Sequence, residues 1–594
     1  MYGFYRIAVA VPAIVPGDIT YNCNEIIRLC REAKNAGAAA VCFPHLALSG
    51  ASCGELFFQS SLLNAAERAT EKIAEVTGED LITIFGTPFC PKGMDEVWDM
   101  FAIAGNNSVL KHIPAGNYDR RFFRNDNILP GYCDDGDTFN CGISFAIHSS
   151  PRMGTTPAEV DIFSCSDAAL PGVSADLENF AAAASRAAGN VAIVTTGCAG
   201  ESTAGFATPA KAVIAVNGKI LAATQLLAET SQLIFADADM EALKYQRMRS
   251  GRSLRPAVPE MKLPEAPDLR YAAITAQPYL PEAAAARAAF CKETLEIQSF
   301  ALAHRLKKAF AQKMVLGISG GLDSTLALVA LNRTCEQLNR DKKNIVAVTM
   351  PGFGTTGRTR NNALELARII GADIREIPIS DACMQHFKDI GHDPSVRNAV
   401  YENTQARERT QILMDIANKE NGLVIGTGDL SEISMGWCTY NGDQMSMYSL
   451  NGSIMKSVIP ELLKFEITCR PEMGAVLRDI IDTPVSPELL PAENGSPGHC
   501  TEEILGAYEI HDFFIWHFIN GGAGREKLLA LADIAFRDKY DHAEIERCLG
   551  IFLKRFFSQQ FKRSASPEGV NANAVSLAPA EWRMPSDISG NLWK

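Results

Sequence analysis

Gly317-Ile318-Ser319-Gly320-Gly321-Leu322-Asp323-Ser324-Thr325 is the stretch on which the reading of this chain turns. It ends an apolar, strand-like run over 313–318 and opens a helix-like run over 324–338. Gly317 closes the strand, and the adjacent Gly320 and Gly321 let the backbone turn tightly, so that N–H groups approach phosphate oxygens closely. The N-terminus of the following helix adds partial positive charge. Ser319 and Ser324 offer hydroxyl donors. Asp323 would repel a phosphate unless a cation stood between them, which assigns it a Mg²⁺ role. No Gly-Lys-Ser/Thr follows, so the loop is not of the Walker type.

Outward from this loop, strands and helices alternate. The pattern predicts strands over 344–350, 373–378 and 422–426, and helices over 294–310, 358–371 and 405–419. Strands separated by helices imply a parallel sheet with right-handed crossovers. The apolar positions Leu295, Ile297, Phe300, Leu302 and Leu306 of the first of these helices suit either a core or an interface between subunits. Upstream, residues 1–250 form a second α/β unit. Strands are expected over 5–11, 38–43, 81–86, 158–164, 191–196 and 212–216, and a helix over 22–36. Asn217-Gly218 makes a hairpin turn into 219–224. Pro256, Pro259, Pro264, Pro267, Pro278 and Pro281 crowd the join at 251–281. Repeated proline ends helix and central strand, leaving an extended linker or an ordered loop along the surface. Residues 282–594 make the C-terminal domain.

With 69 Asp+Glu against 56 Lys+Arg the net charge is −13, which argues against nonspecific binding to nucleic acid or membrane. The 16 cysteines form no CxxC pair and no zinc-type spacing, and no signal peptide or membrane-length apolar run is read. Free thiols in the cytoplasm are the expectation.

The Ser-Gly-Gly-x-Asp-Ser loop resembles that of the ATP pyrophosphatases, which cut ATP to AMP and pyrophosphate while adenylating an acid. Further segments narrow the resemblance. Val424-Ile425-Gly426-Thr427-Gly428-Asp429-Leu430-Ser431-Glu432 leaves a strand and ends in acids. Asn403-Thr404-Gln405-Ala406-Arg407-Glu408-Arg409, Trp437-Cys438-Thr439-Tyr440-Asn441-Gly442-Asp443-Gln444 and Phe561-Lys562-Arg563-Ser564 follow the same pattern. Together they resemble NAD⁺ synthetase from about residue 282 to 593. The resemblance implies an ATP-pyrophosphatase (adenine nucleotide alpha hydrolase-like) parallel-sheet domain. It also implies ATP and Mg²⁺ as cofactors, and deamido-NAD⁺ and ammonia (or glutamine) as small-molecule substrates. By the same resemblance, Gly317, Ser319, Gly320, Gly321, Asp323, Ser324, Thr427 and Lys456 would bind ATP and pyrophosphate. Asn403, Arg407, Glu432, Trp437, Asp443 and Lys562 would hold deamido-NAD⁺. Asp323 and Glu432 would be the metal ligands, and the protein a homo-oligomer.

NAD⁺ synthetases with an N-terminal extension of this size carry a nitrilase-like glutaminase, an α-β-β-α sandwich. Residues 40–50, Ala-Val-Cys-Phe-Pro-His-Leu-Ala-Leu-Ser-Gly, fit it, as do Leu56-Phe57-Phe58-Gln59 and Gly200-Glu201-Ser202-Thr203. That chemistry needs a glutamate base, a lysine at the oxyanion and a cysteine nucleophile. The glutamate position, after Phe-Pro, is His45. The lysine position, after Ile113-Pro114, is Ala115. The cysteine position falls on His148, or on Ala146 in a shifted register. The triad is absent at all three positions, so this domain is expected to be inactive as a glutaminase, with free ammonia as nitrogen donor. His45 and His148 are left as residues that could line the old pocket. The alternatives are a glutamine-dependent reaction through an atypical site or a partner glutaminase, amidation of a different carboxylate, and a pseudoenzyme that binds nucleotide without turnover.

Overall fold

The strand Phe4–Val11 serves two cores at once. Ile7, Val9 and Val11 point one way, Ala8 and Ala10 the other, as the two-residue period of a strand requires. Strands buried on both faces must lie in a sheet covered on both sides, and the whole N-terminal unit is built on that rule. The computed structural model describes residues 2–77, 80–114, 123, 138–140, 143–148, 158–164, 173–201, 208–251, 265–354, 357–483, 504–579 and 581–593. These divide into two compact units, Met1–Ala273 and Ile274–Lys594.

In the first unit one sheet runs in the order Gln232–Asp239, Phe4–Val11, Ala40–Cys42, Ile82–Phe89, Trp98–Gly105, Ser108–Pro114. The second runs Lys219–Ala223, Lys211–Val216, Val191–Thr196, Val160–Ser164, Ser144–His148, Thr138–Asn140. Ile7, Val9, Ile84, Phe101 and Ile103 of the first sheet pack against Phe145, Ile147, Ile162 and Ile193 of the second. The helices Ile19–Asn35 and Ser60–Thr77 cover the outer face of the first sheet, and Val173–Ala188 that of the second. This is the α-β-β-α sandwich of the nitrilase-like class. The antiparallel hairpin Trp98–Gly105/Ser108–Pro114 was not expected from the sequence.

The described part of the proline-rich join belongs to this unit. Arg6, fully buried, pairs with Asp237 at 2.7 Å and reaches the carbonyl of Asp268 at 2.7 Å and its carboxylate at 2.5 Å. Its guanidinium lies 4.7 Å from the Tyr271 ring centroid. Ala266 N–H donates to Phe4 O. Residues 265–273 are thus an ordered strap rather than a free linker; residues 252–264 lie outside the described set.

The second unit holds a five-stranded sheet in the order Asp373–Glu376, Ile345–Thr349, Lys313–Gly317, Gly422–Gly426, Tyr448–Ser449. All four pairings are parallel. The chain builds outward from Lys313–Gly317 on one side, then returns to add Gly422–Gly426 on the other. Ligands of such sheets sit outside the carboxyl ends of the strands at that reversal. Both glycine-rich loops singled out in the sequence leave those two strand ends. The helix Ala284–Lys308 begins ten residues earlier than expected. It answers the question of its apolar face in two ways: Leu295, Leu302 and Leu306 are core, whereas Ile297 and Phe300 are exposed. No described helix is long and apolar enough to cross a membrane.

The helix Tyr508–Gly521 is apolar nearly all round; it buries His511 fully and His517 in part. Desolvation lowers His511 to about 4 and His517 to about 3. His511 Nε2 meets the Leu505 carbonyl at 2.8 Å; His517 Nε2 has no hydrogen-bond partner among the described residues. Both are neutral when folded. Below an unfolded pKa of about 6.5 the unfolded chain takes up protons that the folded one refuses. Their contribution to stability is therefore present above pH 6.5 and lost as pH falls toward 4. Each histidine contributes a slope of up to about 1.4 kcal/mol per pH unit. Urea unfolding of the full chain between pH 7.5 and 5 is expected to show a falling midpoint, and His517→Phe to remove part of that slope. An unchanged slope in the variant would refute the assignment.

Candidate active site

Gly320 sits at φ +87°, and a Cβ there would stand 2.0 Å from Thr359 O. Only glycine satisfies both conditions. Gly321 then caps the helix Leu322–Gln337 in extended backbone. Ser319 Oγ accepts from Gly321 N–H at 3.2 Å, and Ser324 Oγ accepts from Ser319 N–H at 3.3 Å. The serines thus hold the loop open over the helix N-terminus.

The second loop is organised by Asp429. It caps the short helix Leu430–Met435, with Oδ1 accepting from Glu432 N–H at 2.8 Å. Asn451 ties the two loops together, donating to Asp323 O at 2.9 Å and Thr427 O at 3.1 Å. Gln298, from the helix Ala284–Lys308, holds Asn451 Oδ1 at 3.1 Å.

Lys456 stands at the start of a 3₁₀ turn, buried, with its ammonium among three acids. Nζ donates to Asp323 Oδ2 and Glu432 Oε1, each at 2.8 Å. Asp429 Oδ2 is in ion-pair contact at 2.7 Å without hydrogen-bond alignment. Burial pushes the Glu432 carboxyl up to about 7 and the Asp429 carboxyl well above its usual range, against the pull of the lysine. Burial alone would lower the lysine; the three acids outweigh it and keep it charged.

One oxygen each from Asp323, Asp429 and Glu432 lies within 4.8 Å of the others. Asp323 Oδ1 is buried with no hydrogen-bond partner among the described residues. Three carboxyl groups around one ammonium, each able to ionise once a cation offsets its burial, leave acidic oxygens beyond what the lysine pairs. That hard-oxygen donor set fits a divalent cation of the Mg²⁺ type. The sequence reading named Asp323 and Glu432 and missed Asp429. Its signal was the Asp-x-x-Glu spacing of a helix start.

The other expected residues fall in several settings beyond this centre. A cavity is lined by Thr427, Glu432, Cys438, Asp443 and Gln444, with Pro567 and Val570 of the C-terminal stretch. Asn403 Oδ1 accepts from Thr439 Oγ1 at 2.8 Å, and Asp443 Oδ1 from Thr439 N–H at 2.7 Å. Arg407 lies further out, donating to Tyr440 O at 3.2 Å from an exposed position. Trp437 is sandwiched against Arg555, 5.0 Å from its ring centroid. Lys562 Nζ is held by the carbonyls of Gly436 and Cys438, at 2.8 and 2.7 Å, so it braces this loop rather than the acidic centre.

In the first unit, His45 is buried and lowered to about 4 by desolvation. Its Nδ1 lies 2.9 Å from Ser164 Oγ. Ser164 continues the inter-sheet face of its strand after Val160 and Ile162. His148 lies on the other face, with Nε2 3.0 Å from Asp161 Oδ1 and its ring stacked on Phe163 at 4.8 Å. The structure therefore corrects the expectation that the two histidines share a pocket: strand alternation sends them to opposite faces of one sheet. Ala146 follows His148 onto that outer face by the same alternation. Ala115 lies outside the described residues.

Comparison with known proteins agrees with this architecture. A family model described as NAD synthase matches residues 295–535. The glutamine-dependent NAD(+) synthetase of Mycobacterium bovis is 31% identical over 664 aligned positions, covering 100% of this chain and 97% of that protein. The protein of the same name from Mycobacterium leprae is 30% identical, with the same coverage. Among solved structures, a glutamine-dependent NAD(+) synthetase from Cytophaga hutchinsonii is 16% identical and spans 99% of this chain and 98% of that one, at a TM-score of 0.43. With full-length identity of this order to the mycobacterial proteins, the chain belongs to the glutamine-dependent NAD(+) synthetase family and is a ligase that forms a carbon–nitrogen bond.

Proposed function

We propose that this chain makes NAD⁺ from deamido-NAD⁺ and ATP with free ammonia as its nitrogen donor. The observation that carries the donor is the contrast between the two units. The second unit gathers three carboxylates about one lysine, whereas by the resemblance the base position of the first unit falls on His45 and the nucleophile position on His148 or Ala146.

A carboxylate resists attack by ammonia because its leaving group would be oxide. In the first step a nicotinate oxygen attacks the α-phosphorus of ATP, and pyrophosphate leaves. In the second, ammonia attacks the acyl carbon and AMP leaves with the bonding pair, giving the amide. The N–H groups and hydroxyls of Ser319–Ser324 cradle the departing pyrophosphate at the helix N-terminus. Asp323 and Glu432, with Asp429 beside them, would hold Mg²⁺, which neutralises phosphate charge when bound. Lys456 supplies a fixed positive charge in a buried setting, where it acts more strongly than in water. Thr427 contacts ATP from the second strand end. Asn403, Arg407, Trp437, Asp443 and Lys562 shape the dinucleotide side. The chain works in the cytoplasm as a homo-oligomer. The direct test is NAD⁺ formation by purified protein from deamido-NAD⁺, ATP, Mg²⁺ and ammonium chloride, with AMP and pyrophosphate released in equal amounts. No NAD⁺ with ammonium would end this reading.

A further inference from the structure

Asp512 is the one acid deep in the apolar helix Tyr508–Gly521, and it is fully buried. Its Oδ1 accepts from Ser431 Oγ; its Oδ2 accepts from Ser457 N–H at 3.0 Å and from Ser457 Oγ at 2.6 Å. Ser431 Oγ in turn accepts from Lys456 N–H at 2.8 Å. Ser457 Oγ has given its hydrogen to Asp512, so Tyr279, whose hydroxyl lies 2.7 Å away, donates to it. One helical turn before Asp512, the Tyr508 ring centroid lies 5.3 Å from Lys456 Nζ.

Ser431 precedes Glu432, and Ser457 follows Lys456. These two segments are 25 residues apart in sequence, and Asp512 clasps both by the residue next to the reactive one. A buried carboxylate is costly to desolvate, and a leucine would suit this apolar helix at no such cost. A leucine would not fix two backbone segments in register. We propose that Asp512 is a positioning residue for the Glu432–Lys456 pair: it touches neither group, and it sets the distance between the helix start that carries one and the turn that carries the other. This rests on the synthetase reading above.

The test uses the full chain with ammonium as nitrogen donor and compares wild type with Asp512→Asn, Ser431→Ala and Ser457→Ala. Asparagine keeps the shape but puts an N–H₂ where the aspartate meets only donors. Displacing reacting groups by a fraction of an ångström to an ångström costs up to about a hundredfold in rate. Asp512→Asn and Ser431→Ala are each expected to lower kcat about tenfold or more. The Mg²⁺ concentration at half-maximal rate should rise at the same time, and KM for deamido-NAD⁺ should stay within about twofold of wild type, since the dinucleotide side is untouched. Folded variants with wild-type kcat and wild-type Mg²⁺ dependence would overturn the proposal. So would a loss of rate that follows thermal stability alone with Mg²⁺ dependence unmoved. If Asp512→Asn fails to fold, Ser431→Ala decides by the same two readouts. A wild-type protein inactive with ammonium would instead strike the synthetase reading, so the two failures are distinct.

Discussion

With glutamine as sole nitrogen source, the protein is expected to form NAD⁺ at less than about one-thousandth of its rate with ammonium, the scale of loss when a nucleophile and its base are both removed. Cutting the γ-amide of glutamine by the nitrilase route needs a thiolate, a base to generate it and a cation at the oxyanion. His45, on which the resemblance places the base, is buried and neutral, and its Nδ1 is engaged with Ser164. His148, one of the two residues on which the resemblance places the nucleophile, points away from His45, fixed by Asp161 and Phe163. The buried thiols among the described residues of this unit offer no substitute; Cys141 and Cys165 lie outside the described residues. Burial pushes Cys30 up to about 12, Cys53 up to about 11 and Cys198 well above its usual range. Such thiols carry almost no thiolate near neutral pH and are inert. Glutamate release from glutamine should be equally low. Rates with glutamine matching those with ammonium would show that another nucleophile has taken over. Loss of that activity on thiol alkylation would identify it as a cysteine.

The second large effect is expected at Lys456. Replacing it by methionine keeps most of the stem volume and removes the only ammonium that the described residues place among Asp323, Asp429 and Glu432. Breaking a buried charge cluster by removing one partner costs about 3–5 kcal/mol, because the remaining charges stay buried and unpaired. Lys456→Met should therefore lower the thermal midpoint by several degrees. Added Mg²⁺ should recover more stability in the variant than in wild type, since the cation then stands in for the lost charge. NAD⁺ formation should stay down by about a thousandfold even at saturating Mg²⁺, because the fixed charge toward the phosphates is gone. The checks are differential scanning fluorimetry with and without Mg²⁺ and the ammonium-dependent rate. Recovery of rate together with stability would reduce Lys456 to a purely structural counter-ion.

Much of this protein is legible along the chain. The phosphate loop is read within nine residues because strand, glycine turn and helix cap are local signals, and the parallel sense of the sheet around it follows from strands alternating with helices. Asp323, Glu432 and Lys456 are named from the family resemblance, and tertiary structure brings the two carboxylates each to 2.8 Å from the one ammonium. What the sequence could not place depends on register and on contacts between distant segments. The hairpin Trp98–Gly105/Ser108–Pro114 is apolar on both faces of its first strand, so it carries no alternation to mark it. Whether His45 and His148 meet is a matter of strand parity across the sandwich: one residue of register sends a side chain to the opposite face. Asp429 joins the acidic centre, Asn451 joins two loops more than a hundred residues apart, and Asp512 clasps two segments from a helix far downstream. Sequence alone thus determined which chemistry the second unit is built for. Only the tertiary structure decided which polar groups are buried together, because desolvation and hydrogen-bond satisfaction are properties of the packed interior and not of any stretch of the chain.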